Sequence, residues 1–338
     1  MKDYFEFNLQ YFATPVQPVG GTFGVAGTSN AFHYTAADLE NEARFGKLLE
    51  PGLRKIFFET YGEIAEEYSK FLNVQSSSKA KETDWGMGAF GTWVERADQF
   101  APIAYQTLSP GLERTYTHKS FTSGFMVTKE MADDEQYGQM SKMAKALARS
   151  GRVKVEKDAV TVLTGAFTTV IYDGKALCAN DHPLLDSAKV GDNLTTGALS
   201  DATLKAAIKL MQETLDEAGN LIQMNPNTLI IAPSNLDNAK RILHSTEISG
   251  GQLNDTNEYL KDMNMKIVVL SYLSTAGGGN DGYWFVQDSM RHELNFFWRS
   301  KPEFAWDEDF DTLVAKYRAY MRYSYGSSDW RGIVGSAS

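Results

Sequence analysis

The sequence predicts a mixed α+β fold, and three patterns predict it. Apolar residues recur at helical spacing from about Tyr137 to Gly165, with Met140, Met143, Ala144, Leu147, Ala148, Val155, Ala159, Val162 and Leu163 on one stripe. At 1.5 Å per residue such a helix is roughly 43 Å long. Near the C-terminus Leu313, Ala315, Tyr317, Ala319, Met321, Tyr323 and Tyr325 alternate with Val314, Lys316, Arg318, Tyr320, Arg322 and Ser324, the period of a β-strand. Extended chain of that length also reaches roughly 43 Å, well beyond an ordinary strand. Between the two, residues 173 to 282 alternate short apolar runs with amphipathic stretches, as in a compact α/β unit.

Composition narrows the function. The chain has 338 residues, enough for about two folding units, and with 43% apolar and 22% charged residues it reads as globular rather than disordered. Asp plus Glu (43) exceed Lys plus Arg (33), and the resulting formal charge of −10 is the wrong sign for gripping phosphate backbones. Cys178 stands alone, so it forms no disulfide within the chain and reads as an inert core thiol. The five histidines are scattered, so neither a metal site nor a cofactor is expected. No apolar run approaches the ~20 residues of a membrane span, and the first residues lack the pattern of a secretory signal. The expected compartment is the cytoplasm.

Taken in order, residues 7 to 37 carry no Asp, Glu, Lys or Arg, yet hold Tyr11, Phe12, Phe23, Phe32 and Tyr34 among glycines and prolines. Such an arm gains by lying on apolar surface, its own or a neighbour's. Pro51 and Gly52 are expected to break a helical region in two, after which Ile56, Phe57, Tyr61, Ile64, Tyr68 and Leu72 mark an amphipathic helix. A polar run from Gln75 to Lys81 ends that unit and leads into the glycine- and aromatic-rich stretch from Trp85 to Trp93. Residues 99 to 127 read as a long hairpin: a strand through Phe100, Ile103 and Tyr105, a turn at Ser109, Pro110 and Gly111, then a strand from Thr115 to Val127 containing Tyr116 and Phe121. A lone hairpin of this length needs a surface to lie on, and a second subunit offers one. Helix resumes near Thr128, and the methionines of the long helix are read as core.

In the α/β unit Ser200 caps a helix expected to end at Gly219. Thr228 to Ala232 is a buried strand, Pro233 and Ser234 open the next helix, and Lys266 to Tyr272 is another strand before a flexible glycine-rich loop from Thr275 to Gly282. Strands at Tyr283 to Gln287, Glu293 to Trp298 and Leu313 to Tyr325 complete the chain. The acidic cluster Glu303, Asp307, Glu308, Asp309 and Asp311 reads as a solvated turn before the last strand, with Arg318, Arg322 and Arg331 as partners for such carboxylates within or between subunits.

Catalytic motifs are missing: there is no Gly-x-x-x-x-Gly-Lys loop, no Gly-x-Ser-x-Gly elbow and no Gly-x-Gly-x-x-Gly after a strand. Asp181 beside His182 is the strongest catalytic candidate, and an Asp-His hydrolase would need it. Adjacent residues rarely converge on one atom, however, and a turn led by Asn180 and Pro183 with His182 bonding backbone accounts for the same residues.

Several segments together carry a resemblance over nearly the whole chain. They are the opening Phe-Glu-Phe-Asn-Leu-Gln-Tyr-Phe-Ala (residues 5 to 13), Phe125-Met-Val-Thr-Lys-Glu-Met-Ala-Asp-Asp, Leu177-Cys-Ala-Asn-Asp-His-Pro, Asn193-Leu, Thr228-Leu-Ile-Ile-Ala-Pro, and the close Arg322-Tyr-Ser-Tyr-Gly-Ser-Ser-Asp-Trp-Arg-Gly-Ile-Val-Gly-Ser. In order and spacing the chain resembles the major capsid proteins of tailed bacteriophages. The resemblance implies an N-terminal arm and helix at 1–76 and an extended hairpin, the E-loop, within 77–127. It implies a peripheral domain at 128–172 and 283–338 with a spine helix, and an axial domain at 173–282. It also implies a structural, non-enzymatic subunit that forms pentamers and hexamers of an icosahedral shell around double-stranded DNA, in a virion assembled in host cytoplasm. A separate scaffolding protein, a portal and decoration proteins are the implied partners. Tyr11, Phe12, Phe23, Trp93, Phe100, Tyr105, Tyr116, Phe121, Arg318 and Arg322 are the expected interface residues. No charged helical prefix precedes the arm, so an uncleaved subunit is expected; Lys119, on the hairpin, has no identifiable cross-linking partner. The rival readings are an encapsulin-like shell enclosing an enzyme, the hydrolase built on His182, and a tail or decoration protein.

Overall fold

The computed structural model describes residues 45–337 except 88–92, 94, 97, 99–102, 104, 106–109, 185–188, 246–256 and 310. The arm residues Tyr11, Phe12 and Phe23, and Phe100, lie outside the described residues.

Helix α1 (Phe45–Glu63) runs through Pro51 rather than breaking there. The proline costs about 3 kcal/mol in a helix interior, and burial of Leu53 and Phe57 against the next long helix and the sheet outweighs it. The helix stops at Glu63, short of the expected Leu72. Beyond it the Glu156 carboxylate accepts the backbone N–H groups of Glu67 (3.2 Å) and Tyr68 (3.0 Å), and a 3₁₀ turn at Tyr68–Lys70 swings Tyr68 into a different part of the core. The polar stretch that follows is a strand, β1 (Asn73–Ser76), lying parallel to residues 295–298.

The hairpin differs from expectation in its arms. Strand β3 (Pro110–Thr117) pairs antiparallel with β2 (Lys81–Met87), Lys81 opposite Thr117 and Met87 opposite Pro110. Pro110 thus opens a ladder instead of turning one, and residues 88–109 connect the two arms. Few apolar residues mark β2, so its alternation is invisible to a hydrophobicity reading. The expected single strand from Thr115 to Val127 is interrupted at His118, where the chain leaves this two-stranded sheet and enters β4 (Lys119–Thr128) of a larger one. Thr128 caps α2 (Lys129–Asp133), its hydroxyl accepting from Met131 N–H, and α3 (Tyr137–Thr164) is the long helix the stripe predicts.

Two sheets organise the rest. In the four-stranded sheet, order β1-β11-β12-β4, the strands β11 (Leu294–Asp309) and β12 (Val314–Ser327) form a long antiparallel ribbon. β11 is more than twice as long as expected: Glu303, Asp307, Glu308 and Asp309 belong to it and are not a turn, because each pairs with β12, and Glu303, Asp307 and Asp309 alternate with Phe304 and Trp306 on the core face. The register shifts between Trp298 and Glu303 lie beyond the end of β1, where Pro302 occupies an unpaired edge. The five-stranded sheet has the order β7-β13-β10-β8-β9, made of β7 (Leu194–Thr195), β8 (Thr228–Ile231), β9 (Lys266–Val269), β10 (Trp284–Gln287) and β13 (Ile333–Ser336). Strands β5 (His182–Pro183) and β6 (Val190–Gly191) pair separately.

Period-two alternation sorts the five-stranded sheet between two cores. Leu229, Ile231, Trp284, Val286 and Val334 face α4 (Asp201–Gln212) and α5 (Leu236–His244), with the short α6 (Glu258–Asp262) alongside. Ile230, Phe285 and Ile333 face the other way and meet Val155, Ala159 and Leu163 of α3, together with Phe296, Trp298 and Tyr323 of the ribbon. The first half of α3 packs with α1 on the far end of the ribbon, at Phe304 and Tyr317. Burial of each such side chain is worth about 1.5–3 kcal/mol. Helix α4 carries the predicted Ser200 cap but ends at Gln212; Gly219, at φ +79°, instead turns the chain between the bridged residues Leu215 and Leu221. The glycine-rich segment at 275–282 is a close-packed turn rather than a free loop, since a Cβ on Gly279 would sit 2.2 Å from the Leu273 carbonyl oxygen.

Acid sensitivity follows from one buried ring. His292 is buried, its Nδ1 accepts the Leu294 N–H (3.3 Å), and burial pushes its pKa down to about 4, against a smaller opposing pull from Asp288. The unfolded ring titrates near the ordinary value of about 6.5, so the folded state binds fewer protons in the interval between. Stability is therefore full above about pH 6.5 and lost as pH falls toward 4. Denaturant titrations at about pH 7 and about pH 4.5 are expected to differ by about 2–3 kcal/mol from this group, and His292→Asn to remove that share.

Candidate functional site

Three of the segments that carry the sequence resemblance, 177–183, 193–194 and 322–336, meet at one side chain, Asn193. It is 1% exposed, and its amide nitrogen donates toward the carbonyls of Leu177 (2.8 Å), Trp330 (3.1 Å) and Ile333 (3.1 Å). Three carbonyls around one end fix the amide's orientation. Its oxygen then accepts from the Ala179 N–H (2.9 Å) and lies 3.1 Å from His182 Nε2. The Nδ1 of His182 is 2.6 Å from the Asp173 carboxylate, and the ring stacks on the Trp330 indole at 4.4 Å and 5°. Gly191 makes room for that stack, because a Cβ there would lie 2.3 Å from the indole. Arg331 lies over the same indole, bonds the Asp329 and Glu217 carboxylates, and donates to the Leu215 carbonyl.

This geometry corrects the reading of Asp181 and His182. The imidazole bonds no backbone group; its carboxylate partner is Asp173, eight residues before the adjacent aspartate, while Asp181 pairs on the surface with Lys175. With His182 0% exposed and both nitrogens engaged, the pair pins loops together and has no face for a substrate. Cys178, read as a core thiol, is buried beside Gly335, and burial pushes its pKa up.

A second polar knot escaped the sequence reading. Arg152, in the middle of α3, is 2% exposed and lies between the rings of Tyr61 and Tyr68, at 5.2 and 5.6 Å. It meets Glu66 at 3.0 Å and the buried Glu156 at 3.5 Å. Glu67, next in the chain, accepts from the N–H (2.8 Å) and hydroxyl (2.7 Å) of Ser271, just after β9. The end of α1, the long helix and the five-stranded sheet are thereby tied at one place. An arginine on an apolar helical stripe was the available signal.

The expected interface residues divide. Trp93 is 98% and Tyr105 91% exposed, joined by Ile103 and by Trp85, which was not singled out. Tyr116 is committed inside the chain: it is 3% exposed, packs on Phe297 and shares a hydrogen bond with Ser328. Phe121 stacks on Tyr323 and, with Phe57, Tyr61, Leu147, Lys154 and Met321, lines a cleft of about 430 Å³ between the helices and the sheet edge. Arg318 is exposed on the outer side of β12 opposite Ala305, and Arg322 is half-buried opposite Ser300. Arg331 finds Asp329 and Glu217 rather than the acidic cluster of β11, from which Asp309 bonds Lys316 instead.

A long helix against a long β-ribbon, a separate two-stranded hairpin and an α/β unit define the fold of tailed-phage major capsid proteins, and solved structures bear this out. The fold is similar to that of Microbacterium phage Oxtober96 (TM-score 0.54, 9% identity, 81% of this chain and 91% of that one). It is similar too to the capsid of bacteriophage JBD30 decorated with minor capsid protein trimers (0.51, 14%, 62% and 92%). A virus-like particle from Pyrococcus furiosus is a third likeness (0.51, 11%, 85% and 98%). Residues 111–336 match the family described as phage capsid protein, and the chain belongs to that family. It is a structural protein of the capsid. Among curated proteins there is no match.

Proposed function

We infer that this chain is the repeating tile of a closed icosahedral shell, assembled from rings of five and six copies around double-stranded DNA. In this reading the paired strands β2 and β3 with their 88–109 connection are the E-loop, laid across a neighbouring copy. Residues 1–76 are the arm with its helix, 128–172 and 283–338 the peripheral domain, and 173–282 the axial domain. The observation that carries it is the exposure of Trp85, Trp93, Ile103 and Tyr105 on one 21-residue span. An aromatic side chain offers about 150–250 Å², and covering each large apolar side chain is worth about 1.5–3 kcal/mol before ordering costs. Repeated around a shell, such contacts make a stable container from subunits individually incomplete. The net charge of −10 suits a wall that encloses DNA without condensing it. A separate scaffold, a portal and decoration proteins are the proposed partners, with assembly in host cytoplasm.

Electron microscopy of purified protein, with scaffold co-expressed, is expected to show hollow polyhedra or five- and six-membered rings. The double variant Trp93→Ser, Tyr105→Ser is expected to stay folded by circular dichroism and lose at least about tenfold in assembly at equal concentration. Normal assembly by that variant overturns the role given to the hairpin. Enzyme rather than nucleic acid inside native particles would favour the encapsulin-like reading.

A further inference from the structure

The β2–β3 pair joins the rest of the chain by two legs, residues 77–80 and the single residue His118. One imidazole ties both legs to the ribbon. His118 is 5% exposed; its Nε2 lies 3.1 Å from Ser77 Oγ on the first leg, and its Nδ1 lies 3.0 Å from Ser324 Oγ on β12. Proton roles follow from the partners. The Ser77 hydroxyl donates to the Glu82 carboxylate at 2.6 Å and its oxygen already accepts the Lys79 N–H, so it offers Nε2 a lone pair. Nε2 therefore carries the hydrogen, and in the neutral ring Nδ1 accepts from the Ser324 hydroxyl. A second proton would fall on Nδ1, which the Ser324 hydroxyl meets by rotating to accept, and the ring is then a cation held at 5% exposure.

The surrounding charge disfavours that proton further. Arg322 of β12 and Arg299 of β11 both oppose it, Glu82 of β2 partly offsets them, and Lys79 bonds Glu82 on the same leg. Burial is the largest influence, and together these hold the ring's pKa below the ordinary imidazole range.

We propose that His118 is a proton-operated latch at the joint of the hairpin: neutral, it locks both legs onto β12 through Ser77 and Ser324; protonated, it is a buried cation at that joint, and the joint loosens to let water reach the ring and frees the hairpin to change its angle. Tyr116, packed on Phe297 and bonded to Ser328, remains as a second anchor, so release loosens the hairpin without detaching it. The proposal rests on the geometry of one subunit and stands or falls independently of shell assembly.

Amide hydrogen exchange of the purified full chain tests it, comparing about pH 7.5 with about pH 5, where His292 is still mostly neutral. After correction for intrinsic rates, amides of residues 81–87 and 111–117 are expected to lose about tenfold in protection at the lower pH while those of α3 keep theirs. His118→Gln, which can donate and accept but does not titrate, is expected to abolish that loss. Arg322→Gln, which removes an opposing charge, is expected to move the midpoint to higher pH. Equal protection at both pH values in the unmodified chain, an undiminished loss in His118→Gln, or an unmoved midpoint in Arg322→Gln overturns the latch.

Discussion

Replacing Arg152 with methionine is expected to destabilise the subunit by about 3–5 kcal/mol, because removing one partner of a buried ion pair leaves the other charge uncompensated. Methionine fills much of the space between Tyr61 and Tyr68, so lost packing contributes little. The stranded group is Glu156, which keeps only the backbone N–H groups of Glu67 and Tyr68. Burial already raises its pKa despite those donors and Arg152, and without the arginine the rise is larger. A carboxyl whose folded pKa lies above its unfolded value binds more protons when folded, so the penalty grows as pH rises. Urea denaturation should therefore find the variant further below the unmodified protein at about pH 8 than at about pH 5.5. Adding Glu156→Gln is expected to recover part of the loss. A destabilisation under about 1 kcal/mol at both pH values would show that the knot contributes nothing beyond packing.

Asn193→Asp is expected to be as severe. The substitution is nearly isosteric, yet it turns an oxygen toward the carbonyls of Leu177, Trp330 and Ile333, where an amide hydrogen had been. Unsatisfied buried groups cost about 1–3 kcal/mol each, and more when charged, so a loss of about 4 kcal/mol and a fall in melting temperature of roughly 10 °C are expected. Asn193→Ala should cost less than Asn193→Asp, since it deletes the hydrogen bonds without adding repulsion. The reverse order, read by scanning calorimetry, would mean that the amide's orientation is not what matters. His182→Phe separates the polar role from the stack on Trp330: it keeps the ring and loses both bonds.

Where one element's own residues fix its state, the sequence was legible. The stripe from Met140 to Leu163 gives the long helix within a residue of its observed end, Ser200 gives a cap as it stands, and the buried strand read from Thr228 to Ala232 is observed to end one residue earlier, at Ile231. Misread were elements whose state depends on a distant partner. Proline at 51 stays helical because α3 and the ribbon cover the opposite face of its helix at Leu53 and Phe57; the acidic stretch of β11 is extended because β12 pairs with it; β2 exists because β3 lies beside it. The candidate site divides in the same way. Trp93 and Tyr105 are exposed, whereas Tyr116, read in the same way, is buried inside the chain on Phe297.

By itself the sequence determined the α+β class, the long helix and the long last strand of the ribbon, and, through a string of short motifs, the capsid resemblance. Hydrophobic period and local caps act over a few residues, and that is the range a linear reading resolves. Only the tertiary structure decided that Asp173 and not Asp181 holds His182, that Asn193 gathers Leu177, Trp330 and Ile333, that Arg152 lies buried between two tyrosines, and that His118 stands at the hairpin's joint. Hydrogen bonds and ion pairs act over about 3 Å, and nothing in chain order records which polar groups folding will bring within that distance.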